Sequence, residues 1–264
     1  CLAQWYNSNS GTVYTDIIQA TSPTGPWQIV QASYQPVFDV IRHQLFYLNG
    51  VYYAFTTDGG AYSSDLKNWG DLSFPSYIDG IADVALDEST GYFYVTNGGT
   101  GICYIYKTDA PNNPDGWTNI KSFGYRCVSG DAKIAVNDAT IIVTFVESSK
   151  VVYSQNGGTS FVTKNWSGAY QVSNLIIFDG FIAGVSTGNK VAISDDITAG
   201  FVYADVGYTM SSQLAGSGTL LIGACDSTGT VMRNVYHDYS YDSKRIPNIT
   251  PDVRSHAYIK AMEE

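Results

Sequence analysis

Charge is scarce in this chain, and basic residues are the scarcest charged type. Only 14 lysines and arginines stand against 24 aspartates and glutamates in 264 residues, which gives a formal net charge of −10. Binding to nucleic-acid phosphates needs clustered Lys and Arg. Because the basic residues here are few and scattered, the composition argues against a nucleic-acid partner.

Cysteine, histidine and long apolar segments are also rare. The 4 cysteines (Cys1, Cys103, Cys127 and Cys225) form no Cys-x-x-Cys pair and only 3 histidines are present, so no zinc site is predicted. Two interpretations of the thiols stay open: a Cys103–Cys127 disulfide in an oxidising compartment, or free buried thiols. No apolar run approaches about 18 residues, so no membrane-spanning segment is predicted. The start on Cys1 instead of Met suggests a fragment or a processed product.

Tyrosine, glycine and small polar residues take the place of charge. The chain has 21 Tyr and 26 Gly, and 44% of its residues are hydrophobic, which is enough for a sizeable core. Helix signals are nearly absent, with residues 259–264 as the one helical candidate. The mixture is typical of a β-rich secreted or virion-surface protein.

Short strand patterns recur along the chain with a period of about 40 residues. The first strand of each repeat begins near residues 44, 82, 131, 174 and 213, and hairpin turns such as Asn49-Gly50 and Asp179-Gly180 follow. Four short strands per period are typical of propeller blades. We therefore predict an all-β β-propeller of six four-stranded blades.

The predicted fold divides the chain into a propeller and a C-terminal tail, and two alternative folds stay open. The propeller is assigned to residues 1–243, and residues 244–264 form a C-terminal tail that closes the incomplete first blade or contacts a partner. Closure of this kind protects a sheet edge from pairing with other chains. Five blades are the first alternative and a β-sandwich is the second, because evenly spaced short strands are common to both folds.

One turn carries a recognisable motif. Ser154, Asn156, Gly158, Ser160 and Phe161 fit the pattern Ser-x-(Asp/Asn)-x-Gly-x-(Ser/Thr)-(Trp/Phe). A short side-chain acceptor is expected to bind backbone N–H groups in the turn, glycine to take positive φ, and the aromatic ring to fix the hairpin. The spacing resembles the Asp-box, or bacterial neuraminidase repeat. The resemblance implies a propeller with this turn on its rim, and it implies little about function.

Polar residues open the first strand of each repeat, and they form the first candidate site. Since first strands line the axis of a propeller, we predict ligand contacts from these side chains: His43, Gln44, Asp83, Asp131, Asn174 and Gln213. The alternative interpretation is that they only line a wet channel. Asp83 and Asp131 are also candidate calcium ligands, since oxygen atoms suit this ion; no other cofactor is predicted.

The same carboxylates suggest an enzymatic alternative. Glycoside hydrolysis needs one carboxyl group that stays protonated and a second that acts as base or nucleophile. Asp83, Asp131 and Glu147 are the trio that fits this requirement best. Glutamate is otherwise scarce, which favours a binding protein over an enzyme.

Tyrosine supplies the second candidate surface. Aromatic side chains among Ser, Asn and Gly make adaptable recognition faces at a low ordering cost. Tyr236, Tyr239 and Tyr241 form the densest group and are predicted to contact a ligand, whereas others, such as Tyr104 and Tyr106, occur in strand patterns.

The C-terminal residues 255–262, Ser-His-Ala-Tyr-Ile-Lys-Ala-Met, resemble the closing residues of some phage tail-fibre and collar proteins. This resemblance implies a receptor-binding domain of a phage or similar particle that docks a host surface glycan or protein. The expected location is a virion surface or the extracellular space, within a larger assembly. A glycoside hydrolase and a non-binding structural module are the alternatives.

Overall fold

The computed structural model describes residues 2–7, 12–19, 28–34, 45–57, 59–97, 102–124, 132–145, 148–166, 172–178, 180–186, 190–205, 210–217, 220–225 and 231–235. In the first three and the last three strands, the backbone alone is described. The chain divides into two compact units, residues 1–130 and 131–264.

The first unit contains three antiparallel sheets, and within each sheet neighbouring strands follow one another in the chain. The first sheet has three described strands: β1 (Leu2–Asn7), β2 (Thr12–Gln19) and β3 (Gln28–Tyr34). The second has four: β4 (Phe46–Leu48), β5 (Val51–Phe55), β6 (Gly60–Ser63) and β7 (Gly70–Leu72). The third also has four: β8 (Ile81–Asp87), β9 (Tyr92–Asn97), β10 (Cys103–Thr108) and β11 (Thr118–Phe123).

The second unit repeats the plan. Its first sheet consists of β12 (Ala132–Asn137), β13 (Thr140–Phe145), β14 (Ser148–Ser154) and β15 (Val162–Asn165). The next consists of β16 (Val172–Phe178), β17 (Phe181–Ser186), β18 (Lys190–Ser194) and β19 (Val202–Asp205). The last has three described strands: β20 (Met210–Ser217), β21 (Leu220–Cys225) and β22 (Val231–Val235).

The all-β prediction is confirmed, and the described residues form six antiparallel sheets. The predicted strand that residues 244–264 would add to the first sheet, and the helical candidate at 259–264, lie outside the described residues. A 3₁₀ turn at Pro114–Gly116 interrupts the connection between β10 and β11. In the ranges given above, no helix has the length and apolarity needed to cross a membrane.

The predicted hairpin turns have a clear backbone cause. Asn49 (φ 50°) and Gly50 (φ 84°) both take left-handed conformations, and Leu48 pairs with Val51 across them. A two-residue turn with positive φ at both positions matches the twist of the flanking strands, and Asn-Gly adopts it at little cost. Asp138 (φ 51°) lies in the equivalent turn between β12 and β13.

The core of the first unit is aromatic where its second and third sheets pack together. Phe46, Phe55 and Phe93 are buried, and their ring centroids lie 5.2 to 5.7 Å apart. Tyr53 adds an edge-on contact with Phe93 at 5.1 Å. Each such contact contributes about 0.5–1.5 kcal/mol beyond the apolar area that it buries, so this group fixes the two sheets against each other.

In the second unit, the core between the first two sheets is mainly aliphatic and includes one tryptophan. Trp166 follows β15 directly, is 2% exposed, and meets Phe201 edge-on at 4.9 Å. Leu175, Ile182 and Ile142 belong to the same buried cluster. The aromatic residues near the ends of the turns therefore hold neighbouring sheets together.

The turn after β14 has the hydrogen bonds that its sequence predicts. The Ser154 hydroxyl accepts from the backbone N–H of Gly158 (2.9 Å) and donates to Asn156 Oδ1 (2.9 Å). The same Oδ1 accepts from the N–H of Ser160 (2.9 Å). Gly157 (φ 65°) and Gly158 (φ 86°) take positive φ. The likeness to the Asp-box remains a resemblance of sequence.

Two other turns use the same arrangement without the complete motif. Asp65, two residues after Ser63, accepts from the backbone N–H groups of Lys67 and Asn68, each at 2.8 Å. Asp196, two residues after Ser194, accepts from the N–H of Thr198 at 2.7 Å. A buried serine at the end of the third strand, followed by a short acceptor two positions later, is thus a repeated local design.

Candidate functional site

The structure describes the side chains of only two predicted ligand-binding residues, Asp83 and Asn174. Gln213 lies on β20, where the backbone alone is described. The remaining predicted residues lie outside the described residues: His43, Gln44, Asp131, Glu147, Tyr236, Tyr239 and Tyr241. Their assignments therefore stay predictions.

Asp83 and Asn174 occupy equivalent places in their own sheets. Each lies on a first strand immediately after a β-bulge, which falls between Ile81 and Asp83 on β8 and between Val172 and Asn174 on β16. Asp83 is 0% exposed and Asn174 is 4% exposed. A ligand could reach the Asp83 carboxylate only after a local opening of the strand end. Bulges re-aim side chains at strand ends, and they are frequent beside functional sites.

The residue at the corresponding place in two other sheets follows from a count along the first strand. Counting four residues back from the last residue of β12 and of β20 gives Lys133 and Gln213, as it gives Asp83 on β8 and Asn174 on β16. In the sheet that begins with β12, this position belongs to half-buried Lys133. Asp131 precedes Lys133 by two residues and lies just outside the described residues.

The side chains found four residues before the end of the first strands differ in their chemical groups. They carry an amide, a carboxylate or an ammonium group, so the shared feature is polarity instead of one charge. Among the described residues, no three His, Cys, Asp or Glu side chains come together in a way that could hold a metal ion. Calcium binding by Asp83 and Asp131 remains a prediction.

A second group of side chains lies on the sheet formed by β8–β11 and was not predicted as a group. We call it the tyrosine–asparagine cluster, and it consists of Tyr77, Asn97, Tyr104, Tyr106 and Asn119. Tyr104 and Tyr106 are two residues apart on β10, so they share a face of the sheet. Asn97 on β9 and Asn119 on β11 are their respective cross-strand neighbours.

Tyr106 is the buried centre of this cluster. Its ring centroid lies 5.6 Å from that of Tyr77 and 5.9 Å from that of Tyr104. Burial raises the pKa of Tyr106, against the opposing effect of hydrogen bonds with the side chains of Asn119 and Asn97. The Tyr106 hydroxyl therefore stays protonated near neutral pH.

Tyr77 is an exposed aromatic member of the cluster, and 51% of its residue surface is accessible to solvent. It lies in the connection between β7 and β8, where its hydroxyl donates to the carbonyl oxygen of Trp117 (3.2 Å). Its own carbonyl oxygen accepts from Asn97 Nδ2 (3.2 Å). Tyr77 is thus held at its hydroxyl, by the packing of its ring and at its backbone carbonyl, although the residue as a whole is exposed.

The start of β10 adds an apolar neighbour and a covalent anchor. Ile102 is 51% exposed and immediately precedes Cys103, which is fully buried and disulfide-bonded. The sequence proposed Cys127 as the partner, and Cys127 lies outside the described residues. A disulfide at this point holds the strand end that carries Ile102 and Tyr104.

The sequence contained part of the signal for this cluster. The tyrosines at alternate positions of β10 are a signal from which one common face could have been predicted, and low charge indicated recognition through aromatic and small polar side chains. Asn97 and Asn119 gave no signal, because they become the cross-strand neighbours of Tyr104 and Tyr106 only after β9, β10 and β11 pair.

Comparisons with known proteins agree on the fold. A chain in the crystal structure of the nidogen/laminin complex is 12% identical, matches with a TM-score of 0.59, and covers 88% of this chain and 87% of that chain. Virginiamycin B lyase from Staphylococcus aureus is 10% identical, with a TM-score of 0.53, over 89% and 84% of the two chains. The GH74 xyloglucanase from Xanthomonas campestris is 12% identical, with a TM-score of 0.52, over 70% of this chain and 34% of that chain. No family model and no curated protein matches the sequence.

These similarities confirm the predicted β-propeller class. Identities of 10 to 12% carry the fold and nothing finer. The repeated antiparallel four-stranded sheets, each in chain order, have the architecture expected of propeller blades. Function must therefore be argued from this chain's own side chains.

Proposed function

We propose that this chain is a binding propeller that attaches a phage-like particle to a glycan or protein on the host cell surface. The observation that carries the proposal is Tyr77, a half-exposed aromatic ring held in place by a hydrogen bond and by packing on Tyr106. Rigid aromatic anchors bind at a low entropic cost because little conformational freedom remains to be lost.

Three further features support attachment to a surface instead of catalysis. The tyrosine–asparagine cluster contains no charged side chain, whereas hydrolysis of a glycoside needs two carboxyl groups near each other. Asp83, the described member of the predicted hydrolase trio, is fully buried. The disulfide at Cys103 suits an extracellular or virion-surface location, where oxidised cysteines persist.

The choice of a phage-like particle has its own support. Residues 255–262 resemble the closing residues of phage tail-fibre and collar proteins. Low charge and abundant tyrosine are typical of surfaces that recognise a receptor without long-range electrostatic attraction. Nidogen/laminin and xyloglucanase propellers illustrate that the fold occurs both in a protein complex and in a carbohydrate-active enzyme.

The test is binding of the purified chain to a panel of intact bacterial strains, with release of soluble sugar measured in the same wells. We expect saturable binding to a subset of strains without sugar release. Release of sugar that Asp83→Asn abolishes would overturn the proposal in favour of the hydrolase alternative. Neither binding nor release across the panel would favour a structural module.

A further inference from the structure

We propose that the tyrosine–asparagine cluster binds an uncharged pyranose ring of a glycan, stacked on the exposed face of Tyr77. This inference rests on the proposed function, because it names the ligand class of the same propeller. Exposed Ile102, two residues before Tyr104, adds apolar surface, and exposed Asn119 supplies an amide for polar contacts.

The exposed surface of Tyr77 offers an aromatic ring to a ligand. One side of the Tyr77 ring packs on Tyr106 with the two planes inclined at 37°, while half of the residue stays accessible. The face of an aromatic ring is electron-rich. The C–H groups on one face of a pyranose carry partial positive charge, so they can lie flat on such a ring.

The hydrogen-bonding groups near Tyr77 are those of Asn119 and Tyr104. Asn119 is exposed and Tyr104 is half-buried, and the two carry an amide and a phenol hydroxyl. An amide offers both donors and an acceptor, and a phenol offers one donor and acceptor lone pairs. Sugar hydroxyls also donate and accept, and therefore pair with both groups without any charge being buried.

The charge of the cluster and of the whole chain restricts the class of sugar that can bind. The cluster has no cationic member, and exposed Asp79 lies two residues after Tyr77. With a net charge of −10 for the chain, an anionic sugar such as a sialic or uronic acid would meet repulsion without a compensating ammonium or guanidinium group. A neutral hexose or N-acetylhexosamine is the ligand class that this surface fits.

The experiment uses the full chain on an array of neutral oligosaccharides built from glucose, galactose, mannose and N-acetylglucosamine, with sialylated and phosphorylated glycans beside them. Tyr77→Ala removes the platform and should weaken binding about three- to tenfold. Tyr47→Ala is the matched control, since Tyr47 is a second exposed tyrosine packed on a tyrosine, 4.7 Å from Tyr52, outside the cluster. It should leave the affinity unchanged.

A second pair of variants protects the test from a folding artefact. Asn119→Ala and Tyr77→Phe both leave the apolar core intact; the former should weaken binding, and the latter should retain most of it because the ring remains. Circular dichroism melting curves establish that each variant is folded. Neutral-glycan binding that depends on Tyr77 and Asn119 supports the inference.

The outcomes separate this inference from the proposed function. Cell binding that survives periodate but is lost after protease treatment would overturn the sugar inference and leave attachment standing. Glycan binding unchanged in Tyr77→Ala, or stronger for sialylated than for neutral glycans, would also overturn it. Tyr77-dependent binding to neutral sugars without any binding to bacterial cells would support it while overturning attachment to a bacterial host.

Discussion

Asp83 and Asn174 occupy the same position of two different sheets: each follows a bulge on a first strand and lies four residues before the end of that strand. Their side chains have nearly the same shape, and both are buried. The coincidence indicates that a short, branched polar group suits this buried place in these two sheets, and that the negative charge of Asp83 is not needed for folding.

Replacement of Asp83 by Asn should therefore preserve stability, whereas Asp83→Leu should not. We expect the free energy of unfolding to change by less than about 1 kcal/mol for Asn and to fall by about 1–3 kcal/mol for Leu, because an apolar group leaves buried polar neighbours unsatisfied. Urea denaturation measures both values, and Asn174→Leu is the matched variant. An equal loss for Asn and Leu would mean that the charge contributes to stability, as a calcium-binding role predicts.

The turn at Asp65 should make part of the chain's stability sensitive to acid. Hydrogen bonds from the backbone N–H groups of Asn68 and Lys67 hold the pKa of Asp65 well below its usual value of 3.8. Since the folded pKa is lowered, the stabilisation is present above about pH 3.8 and is lost as the pH falls further. Asp65→Asn should flatten the fall in melting temperature over this acidic range. Asp71→Asn, a change at an exposed carboxylate on β7, serves as the control and should leave the acid dependence as it is in the unmodified chain.

Ser154 should be the most sensitive residue of the motif turn. Its hydroxyl is buried, accepts from the N–H of Gly158, and donates to Asn156. We expect Ser154→Ala to lower the free energy of unfolding by about 1–3 kcal/mol, because the loss strands a backbone donor. Exposed Ser160 accepts only from the Asn156 amide through its side chain, so Ser160→Ala should cost clearly less. Equal losses in chemical denaturation would show that the buried hydroxyl has no special role.

The turns of this chain were predictable from its sequence, whereas the fourth strands of the sheets were not. Asn49-Gly50 and the Ser154 turn were predictable, because their backbone geometry is set by residues adjacent in the chain. The fourth strands were not located individually: β15 and β19 expose Val162 and Val202 and lack the alternation that marks a half-buried strand. The place of Lys133 on β12, four residues before the strand end as Asp83 is on β8, also depends on where the strands pair.

Tyr94 should make stability sensitive to alkaline pH. Burial raises its pKa to about 12, and the negative charge of Asp87 adds to the effect. Because the folded pKa lies above the usual value of 10.0, the stabilisation is present below pH 10 and declines as the pH rises towards 12. Tyr94→Phe should remove this component in melting curves measured across that range. The same change at exposed Tyr47 should leave the alkaline dependence intact, and a similar loss of dependence in both variants would contradict the prediction.

The disulfide at Cys103 should affect both the stability of the chain and binding at the candidate sugar site. It anchors the strand end that carries Ile102 and Tyr104. Removing a native disulfide typically costs about 2–4 kcal/mol, so Cys103→Ser should lower the free energy of unfolding by this amount and weaken glycan binding. If Cys127 is the partner, which is one of the two interpretations that the sequence left open, Cys127→Ser should have the same effect, and the double variant should be no less stable than either single one. Cys225→Ser should change neither property. Peptide mapping without reduction identifies the partner directly, and a linkage of Cys103 to Cys1 or Cys225 would show that the predicted pairing is wrong.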